Sequence, residues 1–350
     1  MNSIKKYSFL VAYLLALLPL MAYFLGGMSL FLPLVIVFGV IPAIDYWIKD
    51  PLNPDESSYQ ALLSDNFFKV LTMAYVPIQC AVLAFSLYAV AYHNLYWYEW
   101  LGFVISVGII TGGIGITVAH ELVHKNTFYQ QLFGKVLLST VCYGHFLIEH
   151  VRGHHVNVAT PTDPASARYG ESFYRFYPRT VIGSFKSAWH LEQVRLQRKN
   201  LSNWSVHNNF WWIILAPVLI IAATYMALGL SAALFFIVQS IIAFSLLEVV
   251  NYVEHYGLAR KQLEDGRYER VSPKHSWNAN HWLTNIILFH LQRHSDHHTH
   301  AGRPYQVLRH LEESPQLPTG YAGMIVLALL PPLWFKIMNP KVEAYLSQQD

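Results

Sequence analysis

Four short stretches of this chain gather histidine at spacings that suit a metal. His120-Glu121-Leu122-Val123-His124 sets two imidazoles four residues apart. On a helix they lie one above the other and can reach a single ion. Glu149-His150-Val151-Arg152-Gly153-His154-His155 repeats that spacing at His150 and His154, with His155 about a quarter turn away. In His294-Ser295-Asp296-His297-His298, His294 faces His297 at i+3 and His298 at i+4. Asn251-Tyr252-Val253-Glu254-His255-Tyr256-Gly257 adds His255 beside a carboxylate.

Read alone, the first stretch is HExxH, the zinc hydrolase pattern with Glu121 as general base. A four-coordinate zinc site needs only three or four ligands. The four stretches supply nine candidates: His120, His124, His150, His154, His155, His255, His294, His297 and His298. Nine suits two metals of about four or five ligands each. Imidazole serves zinc, copper, iron and nickel alike. Many neutral ligands, two metals and a position beside lipid together favour iron and oxygen activation, with imidazole replacing most of the carboxylates that soluble diiron bundles use. Glu121, Glu149, Asp163, Glu254 and Asp296 are candidate acceptors that orient ring N–H groups. The other histidines (His93, His145, His190, His207, His275, His281, His290, His300 and His310) read as interfacial or hydrogen-bonded residues.

Composition says what must hold these clusters. Of 350 residues, 54% are hydrophobic and 13% charged, about half the charged share of a soluble protein. The net charge of +3 is too small to point to nucleic acid, and two cysteines, Cys80 and Cys142, allow neither a four-thiolate site nor a disulfide framework. Apolar runs long enough to cross a bilayer are expected at 8–26, 28–48, 68–92, 100–119, 210–228 and 232–252. Lys5 and Lys6 precede the first, but no small-residue cleavage site follows and a second run begins at once, so it reads as an anchor rather than a signal peptide. Leu132–Ile148 reads as buried against the site or re-entrant. Tyr321–Ile337, broken by Pro331 and Pro332, reads as interfacial. The connections 26–28, 93–99 and 229–231 contain no Lys or Arg, which puts both termini and the clusters on the cytoplasmic side. The expected architecture is an all-α integral membrane protein, a single domain over 1–350. Six transmembrane helices would carry a cytoplasmic helical cap, built from 120–208 and 253–350, that holds a dinuclear metal site.

HELVHK (120–125), EHVRGHH (149–155), NYVEHYG (251–257) and LQRHSDHH (291–298) resemble the signatures of the bacterial membrane-bound alkane 1-monooxygenases. The three-box spacing is shared with the wider superfamily of membrane fatty-acid desaturases and hydroxylases; NYVEHYG and LQRHSDHH are more specific. TPTDPASAR (160–168), GRYERVSPKHSWNANH (266–281) and PQLPTGYAGMIVLALLPPLWF (315–335) extend the likeness over most of 112–340, while the first hundred residues match in hydropathy alone. The resemblance implies six transmembrane helices and two non-haem iron ions on the nine histidines named above. It also implies O2 as co-substrate in the terminal hydroxylation of medium-chain n-alkanes to 1-alkanols, in the inner membrane of a bacterium. Electrons would come from rubredoxin, reduced by an NAD(P)H-dependent rubredoxin reductase. With no Cys-x-x-Cys pair, that rubredoxin is expected as a separate chain. Arg152, Lys186, Arg195, Arg198 and Lys199 then read as the positive-inside bias or as a dock for this acidic partner. The rival activities are hydroxylation of aromatic methyl groups, as by xylene monooxygenases, fatty-acyl desaturation, and intramembrane zinc proteolysis. The last leaves most of the clustered histidines without a role.

Overall fold

The computed structural model describes residues 3–49 and 53–348, whose regular structure is helical, with three isolated bridges in place of any sheet. Four membrane-length apolar helices come first: α1 (Lys6–Leu25), α2 (Gly27–Trp47), α3 (Asn66–Tyr92) and α4 (Trp97–Val123). Two shorter pieces follow, α5 (Phe128–Thr140) and α6 (146–157), then the long amphipathic α7 (Phe173–Arg198). The fifth apolar helix, α8 (Phe210–His255), has 46 residues. Beyond it lie α9 (Trp282–Ile287), α10 (His294–Thr299), α11 (Tyr321–Ala328) and α12 (Pro331–Leu346).

Where six separate spans are expected, the described residues hold four membrane-length helices and a fifth apolar stretch, α8, made of two helices that meet at a kink. The 46 residues of α8 amount to roughly 69 Å of helix at 1.5 Å per residue, more than twice a hydrocarbon core of about 30 Å, shared between two pieces. Gly229, at φ 83°, interrupts it, a conformation that costs glycine alone little. Ile220, Ile221 and Leu228 before that break share one apolar cluster with Ala232, Phe235 and Phe236 after it. The helix boundaries next to the histidine boxes also shift: α4 runs on past the expected Ala119 to Val123, and α8 past Tyr252 to His255. His120 and His255 are therefore fixed by the last turns of long helices. Leu132–Ile148 is not one buried run. It breaks after Thr140 at Cys142, whose φ is 53°.

Two devices align the bundle. Gly108 and Gly112, one turn apart on α4, press against Ile242 and Ala243 of α8; a Cβ at Gly112 would lie 2.6 Å from the Ala243 backbone, the close approach that small residues give apolar helices. A buried polar ladder crosses the same level. Thr111 Oγ1 donates to Gln239 Oε1 at 2.8 Å, Gln239 Nε2 to the Thr140 carbonyl at 2.8 Å, and Gln79 Nε2 to Thr140 Oγ1 at 2.9 Å.

At the other end Asp45 of α2 is fully buried and accepts from the Leu283 and Thr284 N–H groups (3.0 and 3.3 Å) and the Thr284 hydroxyl. This carboxylate ties α9, which leads into the third histidine box, to the bundle. Asp45→Ala leaves three donors without their acceptor, and should destabilise by about 2–3 kcal/mol. Thermal melting in detergent checks this, and an unchanged midpoint would show that α9 is held by other means.

Candidate metal centre

The first box is the end of α4: His120 is the last turn of a spanning helix, and His124 follows one turn later at its C-terminus. The second is carried by α6, whose residues His150–His154 form a π-turn in which the His155 N–H donates to the His150 carbonyl. The third is α10, and His255 closes α8. All nine side chains meet. Their ring nitrogens form two groups, each with its ligand atoms within 4.8 Å of one another: His120, His124, His150, His155 and His297 in one, and His154, His255, His294 and His298 in the other. The groups are adjacent, with the His155 and His298 rings 4.5 Å apart between centroids.

Spacing alone does not give this partition. His150 and His154, an i, i+4 pair in the sequence, are split between the groups. The π-turn inserts one residue, so His150 meets His155 instead, Nε2 to Nε2 at 3.0 Å, and His154 faces His298 at 3.2 Å. In α10, His294 pairs with His298 at 2.9 Å while His297 reaches His120 at 3.0 Å and His155 at 3.1 Å.

The chemistry of this donor set fits cations. His154 Nδ1 lies 2.9 Å from Asp163 Oδ2, and His255 Nδ1 3.3 Å from the His275 carbonyl. Each oxygen accepts a hydrogen bond from Nδ1–H, which leaves the Nε2 lone pair facing inward. Neutral rings with converging lone pairs repel one another unless a cation lies among them. In the five-membered group the neighbouring Nε2 separations are 3.0–3.1 Å. With metal–nitrogen bonds of about 2.0–2.1 Å, ligands at right angles sit about 2.9 Å apart, and tetrahedral ones about 3.4 Å. Five nitrogens at the shorter spacing suit a five- or six-coordinate ion better than a tetrahedral zinc.

The five candidate carboxylates do different work. Asp163 is buried on His154 and also accepts from Ser166 Oγ at 2.6 Å. Burial opposes its charge, but the attraction and hydrogen bond of His154, together with that of Ser166, hold its carboxyl below the usual range. Glu254 does not approach an Nδ1. Its Oε2 lies 3.2 Å from His294 Nε2, on the inner side, while Oε1 accepts from Tyr321 at 2.8 Å. Glu121 pairs with Lys125 at 2.6 Å. Asp296 braces the following loop through Arg303 (Oδ2 at 2.6 Å), His300 and the Arg309 N–H. Glu149 takes a long bond from Ser187 at 3.4 Å, and burial, with the charges of Asp163 and Glu248, pushes it well above the usual carboxylate range. The His275 carbonyl and Tyr321 went unrecognised in the sequence, where a backbone acceptor leaves no signal.

An apolar cavity ends at this centre. His120, His150, His294 and Glu254 line one end, with Thr117 and Asn251; apart from Thr284 the rest of the wall is apolar and comes from α1, α2, α4, α6, α8, α9, α11 and the segment after α9, including Leu15, Phe38, Ile109 and Leu246.

Burial holds six of these imidazoles neutral. The His124 pKa is pushed down to about 3 by burial first and then by the Lys125 charge, and those of His150, His155, His294, His297 and His298 also fall well below 6.5, by burial first and by the neighbouring rings after it. Between about pH 6.5 and 3 the unfolded chain therefore binds protons that the folded chain refuses. The stability of the metal-free protein should be full above about pH 6.5 and decline as the pH falls below it. Melting midpoints of chelator-treated protein from about pH 8 to about pH 5 measure this, and a flat profile would mean that the rings are solvated.

Comparison with known proteins gives this site a lineage. The sequence pattern of the fatty acid desaturase family matches residues 95–328. The chain is 50% identical to alkane 1-monooxygenase 2 of Pseudomonas aeruginosa, over 90% of its own length and 84% of the relative. It is 46% identical to alkane 1-monooxygenase 1 of the same organism over 100% and 94%, and 45% identical to alkane 1-monooxygenase 2 of Alcanivorax borkumensis over 99% and 93%. Identity of this order across nearly the whole of each sequence settles the lineage: the chain belongs to the alkane 1-monooxygenases, within the fatty acid desaturase family.

Proposed function

We propose that this protein carries out the O2-dependent terminal hydroxylation of medium-chain n-alkanes to 1-alkanols on a dinuclear iron centre, with electrons from a separate rubredoxin. The observation that carries the reading is the meeting of two adjacent all-histidine groups with the end of an apolar cavity. The overall change is RH + O2 + 2 electrons + 2 protons giving ROH and water. Two irons bound by the nine imidazoles would supply oxygen activation and transfer of one oxygen atom to the terminal carbon.

What the protein contributes can be read residue by residue. The nine Nε2 atoms would hold the metals, and Asp163 and the His275 carbonyl fix the tautomers of His154 and His255. The apolar walls accept a hydrocarbon tail and exclude water, so that only the methyl next to His120, His150 and His294 is presented to the centre. In the proposed topology α8 crosses the bilayer twice, turning at Gly229, which gives six crossings with both termini and the metal centre on the cytoplasmic side of the inner membrane. The absence of basic residues in the three opposite turns supports that orientation.

His124 and His155 are the only half-buried members of the two groups, which makes their side the short route for electrons. Exposed Lys186 and Arg198 on α7 and Lys199 just after it form the proposed rubredoxin dock, whereas Arg195 is tied to Glu192 by bonds of 2.8 and 2.6 Å.

Metal analysis of purified protein should find about two irons per chain; one zinc per chain would replace this reading with the hydrolase one. His255→Ala should lower iron content and reduce octane-to-octanol turnover by at least about a hundredfold, and Asp163→Asn by about ten- to a hundredfold. Full activity in His255→Ala would remove that residue from the ligand set. Reconstitution with rubredoxin, its reductase and NADH tests the donor, and xylenes turned over in preference to alkanes would redirect the substrate assignment. The double charge reversal Arg198→Glu with Lys199→Glu should raise the KM for rubredoxin severalfold at low salt and flatten its salt dependence. An unaltered salt profile would move the dock elsewhere.

A further inference from the structure

The cavity runs up one face of α4. Ile109, Ile110, Gly113, Thr117 and His120 succeed one another at helical spacing and all line it. Ile109 is eleven residues from His120, roughly 16 Å at 1.5 Å per residue. An extended carbon chain, with bonds of about 1.52 Å at about 111°, advances roughly 1.25 Å per bond. The full depth thus matches about thirteen carbons. Gly113 stands seven residues from His120, about 10 Å or eight carbons along.

Gly113 differs from the glycines beside it. A Cβ at Gly112 would strike the Ala243 backbone at 2.6 Å, and one at Gly115 would lie 2.0 Å from Gln79 Oε1. A Cβ at Gly113 meets nothing within 4 Å, and the backbone there is not left-handed. A side chain at Gly113 is therefore sterically admissible, and the space it would enter is the cavity. The wall that carries it cannot easily retreat. Thr111–Gly115 is a π-turn pinned through Thr111 to Gln239 and packed against α8 at Gly112 and against Gln79 at Gly115.

We infer that Gly113 is a specificity-determining residue: its missing side chain keeps the far half of the cavity open and admits n-alkanes longer than about eight carbons. The inference rests on the proposed alkane-hydroxylase reading. An alkane has no polar group to recognise, so length is discriminated by steric exclusion, where a single methylene is worth ten- to two-hundredfold. Bulk at Gly113 converts one deep cavity into a short one without touching the metal ligands.

The test is a series in the full-length protein, Gly113→Ala, Gly113→Val and Gly113→Leu, reconstituted with rubredoxin, reductase, NADH and O2. Octane and dodecane compete in one vessel, and the ratio of 1-dodecanol to 1-octanol is read. The ratio should fall in the order Ala, Val, Leu, and by at least about tenfold for Leu. Alanine puts one methyl into open space and is the better helix former, so an unchanged ratio in both Gly113→Ala and Gly113→Val overturns the inference even where the leucine variant fails to accumulate. A wild-type enzyme that makes alcohol from neither alkane sinks the alkane reading itself. A working enzyme whose ratio ignores all three substitutions sinks only the role of Gly113.

Discussion

Nine imidazole lone pairs pointed at two small volumes are the constraint on which the rest of this structure depends. Buried polar groups are tolerable when they are paired, and here the pairing must come from cations at the centre and acceptors at the back. Long helices supply the front: α4 and α8 deliver His120 and His255 from their last turns, where side-chain direction is set by tens of backbone hydrogen bonds. Acceptors supply the back, as Asp163 does for His154 and the His275 carbonyl for His255. Neutral ligands leave the charge of the metals uncompensated, which gives the buried carboxylates Asp163, Glu149 and Glu254 an electrostatic reason to stand within a few residues of the centre.

The pieces that hold these groups are short and irregular, so their placement relies on contacts from elsewhere. α10 has only six residues and could not keep its own shape in isolation. Its approach is fixed through α9, and α9 through Asp45 of α2. The loop after α10 is fixed through Asp296 and its two arginine partners. Membrane-length helices thus act as the rigid frame, and buried carboxylates act as the pegs that transfer its rigidity to the histidine boxes.

Much of this was legible in the residues. Long apolar runs gave the spanning helices to within a few positions, because backbone groups in lipid have no partner but the helix itself. The nine histidines that converge are the nine singled out by spacing. Their partition was not legible, and the reason is local: α-helical periodicity pairs His150 with His154, while the π-turn pairs His150 with His155. A π-turn is imposed by tertiary packing, here with Gly153 squeezed against Glu149 and Leu191, and no residue pattern announces it. The carboxylates show the same limit. Asp163 stands against the His154 ring, but Asp296, inside a histidine box by sequence, turns away to Arg303 because a nearby guanidinium is the stronger partner.

The same irregularity recurs where the cavity is shaped. Among the described residues π-turns occur at Ile36–Val40, Thr111–Gly115 and His150–His154, and each contains or adjoins residues that line the cavity. A regular helix presents a stripe too narrow to enclose a tail on one side and pack on a neighbour on the other. One extra residue per turn widens that stripe, letting Gly112 press on α8 while Gly113 faces the open space. The substrate side of this protein is built by departures from helical regularity, just as its metal side is, and both departures are paid for by the long regular helices between them.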